Sequence, residues 1–264
     1  MGNNLNAVEA VAQLKALGDL QSKSLEFVGA DLRGIDLSGV RLSFVNLSHA
    51  QLDEVNLTDS TLTQVVLTGA QLRGARLQRA ELSFVEATQA NFSEADASES
   101  KWRQSYLLQA QFENATLTKA GFSGCSLDSA TFTGSDLTGG AIVDSTCDGA
   151  HFSGARLGGL ETIGTTFNEA DFQEAEQFFA SREILLEIIR PHIKREIEYA
   201  KLAGAVFLMR RWCYAEWKEY LTTPDMEQYY TIALEIFNQY PKSGAFQALK
   251  EGWDWRRMNM RSAR

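Results

Sequence analysis

Three histidines, three cysteines and 34 Asp and Glu residues are the groups through which this 264-residue chain could do acid–base, nucleophilic or metal chemistry. His49, His151 and His192 are far apart, and none has a neighbour at metal-ligand or triad spacing. The cysteines show no paired motif, which argues against a disulfide framework and for a reducing, cytoplasmic setting. Carboxylates are plentiful, but general acid–base work needs a shaped, partly desolvated pocket. No phosphate-cradling glycine motif occurs; the Gly-rich stretch 154–164 keeps the spacing of its surroundings. These residues therefore predict a non-catalytic protein with no catalytic residue, cofactor or metal.

What positions the charged residues is a strict period of five. From Phe27 to Phe172, thirty consecutive steps keep one phase without insertion or deletion. Leu, Phe, Ile or Trp fills 26 of the 30 central positions, the exceptions being Ala87, Ala97, Cys147 and Thr162. Two residues earlier sits a smaller partner, Ala in 14 cases, Val in five and Ser in five. Five fits neither a 3.6-residue helix nor a two-residue strand, so the pattern demands a repeat architecture. The two positions trade volume. All eleven centres from Leu32 to Leu82 are Leu with several Val partners; beyond Ala90 the centres grow to Phe or Trp while most partners shrink. Such conservation of volume marks a close-packed interior. Ala95/Ala97 and Ser145/Cys147 depart from it and predict a looser core. Cys125 and Cys147 fall on inward positions and read as inert core residues.

Runs such as Ala30-Asp31-Leu32-Arg33-Gly34 and Ala90-Asn91-Phe92-Ser93-Glu94 resemble the pentapeptide-repeat family, A(D/N)LxX. The resemblance covers 150 of the 264 residues. It implies a mainly β solenoid: a right-handed quadrilateral β-helix, one repeat per side and four per coil. Thirty repeats then make about 7.5 coils, a rod of roughly 36 Å at the usual strand spacing. Twenty residues return to the same side, so Phe92, Phe112, Phe132, Phe152 and Phe172 are expected to stack as one ladder.

The ends differ in kind, which divides the chain into a helical N-terminal cap (1–24), the coil (25–173) and an all-α C-terminal domain (174–264). Leu5, Val8, Val11 and Leu14 are spaced as on a short helix. After Glu174 helical spacing takes over at Phe178, Leu185, Ile188 and Ile189, with Pro191 kinking or dividing that segment. Thr223-Pro224-Asp225 reads as a helix start and Tyr240-Pro241 as its stop, with a last helix over 243–258. The tail holds Trp212, Trp217, Trp253 and Trp255, which are candidates for a homodimer or partner interface. Arg256, Arg257, Arg261 and Arg264 close the chain; they suit a helix C-terminus or, less favoured, an anionic partner. The longest apolar stretch, Leu202 to Met209, is too short to span a bilayer.

The formal net charge of −9 is unevenly laid out. Residues 27–172 carry 18 acids and nine bases, hence −9, while the N-terminal 26 residues carry −1 and the tail from 173 carries +1. We label the sides by their first centres: A (27), B (32), C (37) and D (42). Side A has Glu86, Asp128, Asp148 and Glu169 and no base; side B, with two arginines, also nets −4. Side C nets −1 and side D is neutral, with Phe44 and Phe84 expected to protrude from it. Two functions follow. The favoured one is a scaffold or adaptor that displays sides of a rigid rod to a protein partner. The alternative rests on resemblance to the quinolone-resistance members: a DNA mimic that binds a type II topoisomerase, a DNA-handling enzyme, through its acidic half without binding DNA directly. Duplex DNA would carry about 21 charges over such a rod, at one per 1.7 Å, well above the coil's net charge.

Overall fold

The computed structural model of the chain describes residues 25–178, 181–190 and 233–244. The expected N-terminal helix and the helix over 243–258 lie outside these residues, except for the start of the latter at 243–244. Within them the coil is a β solenoid of parallel rungs spaced 20 residues apart. Side D carries its regular strands: β2 (Arg41–Ser43), β4 (Thr61–Thr63), β5 (Glu81–Ser83), β6 (Lys101–Arg103), β7 (Gly121–Ser123) and β8 (Ala141–Val143), paired in that order. Side A opens with β1 (Leu25–Glu26) paired to β3 (Val45–Asn46) and continues as single bridges to Thr166. Sides B and C are bridge ladders that run from Asp31 to Asp171 and from Asp36 to Glu176. Sides A, B and C thus have eight rungs each and side D, ending at Glu161, seven.

The fifth residue of every repeat makes the corner. All thirty corner residues from Gly29 to Glu174 have φ between 48° and 73°, and twelve are Gly. On sides A, B and C the turn closes with the next repeat's N–H on the central carbonyl, as from Ala30 to Phe27 (3.1 Å) and from Ala50 to Leu47 (3.0 Å). Positive φ at the third residue of such a turn is the type II pattern, which favours Gly or Asn. At Gly69 the reason is also steric, because a Cβ there would lie 2.5 Å from His49 Nδ1. The Asp or Asn before the centre is explained locally too. Its side-chain oxygen accepts the N–H two residues on, as from Ser38 to Asp36 (3.0 Å) and from Ser93 to Asn91 (2.9 Å).

Inside, the expected ladder is present. Phe92, Phe112, Phe132, Phe152 and Phe172 stack at centroid spacings of 5.0, 5.1, 4.9 and 5.1 Å, with ring planes within 7° of parallel. The spacing is that of neighbouring strands, so the backbone sets the stack. Trp102 meets Phe92 and Phe112 edge-on and stacks on Phe122 at 5.7 Å. Its indole N–H donates to Ser100 Oγ at 2.9 Å. Trp102 follows Ala97 in the same coil, so a large ring stands beside the small centre. Neither departure from the volume trend opens to solvent, since Ala95, Ala97, Ser145 and Cys147 are all buried. Burial pushes the Cys125 thiol up, and Cys147 further, as suits inert core residues.

The upper end is closed by helix α1 (Arg182–Ile189) and the segment 233–244. Ser181 caps α1 by accepting the Ile184 N–H. Ile184, Leu185, Ile188 and Ile189 turn into the core with Ala233, Ile236 and Phe237. Helix α1 ends at Ile189, two residues before Pro191, and the 233–237 helical turn stops before Tyr240-Pro241, as the sequence predicts. Where the next coil would have supplied acceptors, the cap does so. Glu187 accepts the Glu169 N–H at 3.0 Å, and the Lys242 carbonyl accepts that of Gln177 at 2.9 Å. Two N–H groups of the solenoid's open edge thereby find acceptors in the cap rather than in another chain.

Candidate functional site

Five of the six large apolar side chains exposed among the described residues lie on side A or its corner with side D: Val28, Phe44, Phe84, Tyr106 and Leu108. The sequence placed Phe44 and Phe84 on the neutral side D. They are the corner residues of their repeats, two rungs apart, at the edge where side D turns into side A. Tyr106 and Leu108 flank the buried Leu107 one rung above Glu86. The sequence reading overlooked them because it sorted the outward positions by charge; the run Tyr106-Leu107-Leu108, with two apolar residues at outward positions, was the available signal.

Phe44 and Phe84 have φ of 58° and 57°. A left-handed conformation crowds the Cβ of any L-residue, and a bulky one there is an outlier. The sixteen other non-Gly corners up to Glu174 all carry polar or charged side chains. These two phenylalanines, 44% and 53% exposed, forgo about half of the burial a core ring gains while sitting where Gly or Asn would fit better.

Side A carries acids beside and above this apolar stretch, and three of its four carboxylates accept hydrogen bonds. Glu86 is hydrogen-bonded by the Thr88 hydroxyl. Asp128 accepts the Asp148 N–H at 3.0 Å. Asp148 accepts from the Thr166 hydroxyl at 2.7 Å and from the Asn168 N–H and side-chain amide at 3.0 and 2.9 Å. Burial raises the Asp148 carboxyl, but these hydrogen bonds, with Arg190 nearby, hold it below the ordinary value. Arg190 reaches over from the end of α1 to donate to Asn168 at 2.8 Å. Glu169 remains an exposed corner. On the other sides several acids are paired within the coil, as in Arg33–Asp31, Arg73–Glu94, Arg79–Asp59, Lys101–Glu81 and Arg156–Asp136.

His49 and His151 occupy exposed positions on different sides, and His192 lies outside the described residues. Among the described residues, no three His, Cys, Asp or Glu side chains gather as metal ligands would. No helix of those residues is long and apolar enough to cross a membrane. Trp212, Trp217, Trp253 and Trp255 lie outside the described residues.

A family model described as pentapeptide repeats matches eight copies over residues 26–64, 66–101, 90–128 and 105–140. No curated protein matches the chain. Among solved structures, HetL, a pentapeptide-repeat protein involved in heterocyst differentiation regulation in the cyanobacterium Nostoc sp. strain PCC 7120, is 23% identical, with 57% of this chain and 84% of that one covered and a TM-score of 0.36. Full-length QnrB1, a plasmid-mediated fluoroquinolone resistance protein, is 14% identical over 64% of this chain and 97% of its own, with a TM-score of 0.35. A pentapeptide-repeat protein of the Arabidopsis thaliana thylakoid lumen is 31% identical over 38% and 67%, with a TM-score of 0.33. With its corners, inward pairs and parallel rungs all set by the same five-residue unit, the chain belongs to the pentapeptide-repeat family.

Proposed function

We propose that this chain is a non-catalytic scaffold that binds a protein partner along the D–A edge of its coil. A second association surface lies in the tail that carries Trp212, Trp217, Trp253 and Trp255. The observation that carries this reading is the left-handed backbone at the exposed Phe44 and Phe84. Side chains that cost conformational energy without entering the core are retained for something other than folding. The second reading, the DNA mimic, draws support from the absence of bases on side A. Against it, the coil's net charge of −9 is less than half the roughly 21 charges of duplex DNA over the same length.

One experiment separates the two. Full-length wild-type protein and the Phe44→Asn/Phe84→Asn variant serve as parallel baits in source-cell lysate, at low and high salt. The scaffold reading expects a protein partner that the variant loses. A type II topoisomerase retained by the variant and released by salt would establish the mimic instead. A partner set identical for both baits would overturn the scaffold reading.

A further inference from the structure

Resting on that scaffold reading, we infer that the partner element is a basic amphipathic helix lying lengthwise on the D–A edge. Its apolar face would meet Phe44, Phe84, Tyr106 and Leu108, and its cations would point toward Asp128 and Asp148. Charge complementarity selects this occupant. The outward positions of side A between Phe27 and Glu169 include no Lys or Arg, whereas each of the other three sides carries bases. An acidic segment would meet net repulsion along that side; a basic one would not. The chain itself shows how a cation is received, since Arg190 seats on Asn168 beside Asp148.

The spacing selects a helix. Counted from Phe44, Phe84 is two rungs up, Tyr106 and Leu108 three, Asp128 four and Asp148 five. At roughly 4.8 Å per rung these lie about 10, 14, 19 and 24 Å along the axis. On a helix rising about 1.5 Å per residue, positions i, i+7, i+11, i+14 and i+18 share one stripe and fall at about 0, 10.5, 16.5, 21 and 27 Å. Apolar residues at the first three and Lys or Arg at the last two match the order of the surface. Anchors repeated along one helical face are a common mode of helix recognition by a protein surface.

The test is selection of binders from a library of about 20-residue peptides, long enough for that stripe, against full-length protein. Chosen peptides should be helical on binding and carry apolar i, i+7, i+11 spacing with Lys or Arg toward one end. Their affinity should fall about tenfold for Phe84→Asn/Tyr106→Thr, the loss expected when central anchors go. It should fall less for Asp128→Asn/Asp148→Asn, which keeps the ladder's shape, and that charge-dependent part should vanish in high salt. Thermal unfolding of both variants checks that the coil is intact. Acidic or extended binders, or no enrichment over blank resin, would overturn the inference. The scaffold reading would still stand if the lysate partner depends on Phe44 and Phe84, so the two failures are distinguishable.

Discussion

The coil holds two sets of aromatic rings, and they obey opposite rules. The inner set, Phe92 to Phe172 with Trp102, is fully buried and stacked at the strand spacing. The outer pair, Phe44 and Phe84, is exposed and held in a conformation that L-residues avoid. The same residue type stabilises at the centre of a repeat and strains at its corner. The five-residue unit thus divides labour: the two inward positions answer to packing, and an outward one can depart from the fold's preference only where something else retains it.

Cutting the inner ladder should have the largest effect. Phe112 stacks on Phe92 and Phe132 and meets Trp102 and Phe122 edge-on. Phe112→Ala should cost about 3–5 kcal/mol in denaturant unfolding, as large aromatic truncations in packed cores do. A loss under about 1 kcal/mol would mean that the interior relaxes around the void.

A polar device inside the coil comes next. Where side D turns into side A, the N–H groups of Val85 and Cys125 are accepted by the hydroxyls of Ser105 and Ser145, one coil up, at 3.1 and 3.0 Å. Ser145→Ala should therefore cost about 1–3 kcal/mol, the price of a buried N–H left without its partner. Exposed Ser129→Ala should be near neutral, and equal effects would refute the hydroxyl's role.

The smallest effect belongs to the outer ion pairs. Arg33, hydrogen-bonded to Asp31, holds that carboxyl down to about 2. A depressed carboxyl contributes stability above its unfolded pKa, near 4, and loses it as pH falls through the folded value. The contribution is small because both groups are exposed. Carboxyl-detected NMR titration should find the Asp31 midpoint rising toward 3.8 in Arg33→Ala, and an unmoved midpoint would remove the pair from the account.

The inner half of this comparison was legible in the sequence. A phase held over thirty repeats leaves one return distance, and that fixes which phenylalanines stack. Volume trends could not reveal that Ser145 acts through its hydroxyl, because size says nothing of which N–H lacks a carbonyl. Glu187 was equally hidden: helical spacing marks Leu185 and Ile188 as one face, but not which neighbour meets the coil's last rung. On the outside, counting charges by side found the base-free side A yet could not show that Asp128 and Asp148 each accept a backbone N–H from the rung above. It set Phe44 and Phe84 at the outermost position of their repeats, but charge and spacing alone could not show the left-handed backbone there.

The central claim is that the corner phenylalanines serve binding at some expense to folding. Denaturant midpoints and partner affinity measured together on Phe44→Asn/Phe84→Asn test it most directly. Asn visits the left-handed region with less strain, so stability should hold or rise by up to about 1 kcal/mol while partner binding is lost. A variant that unfolds more easily and still binds its partner would contradict the account.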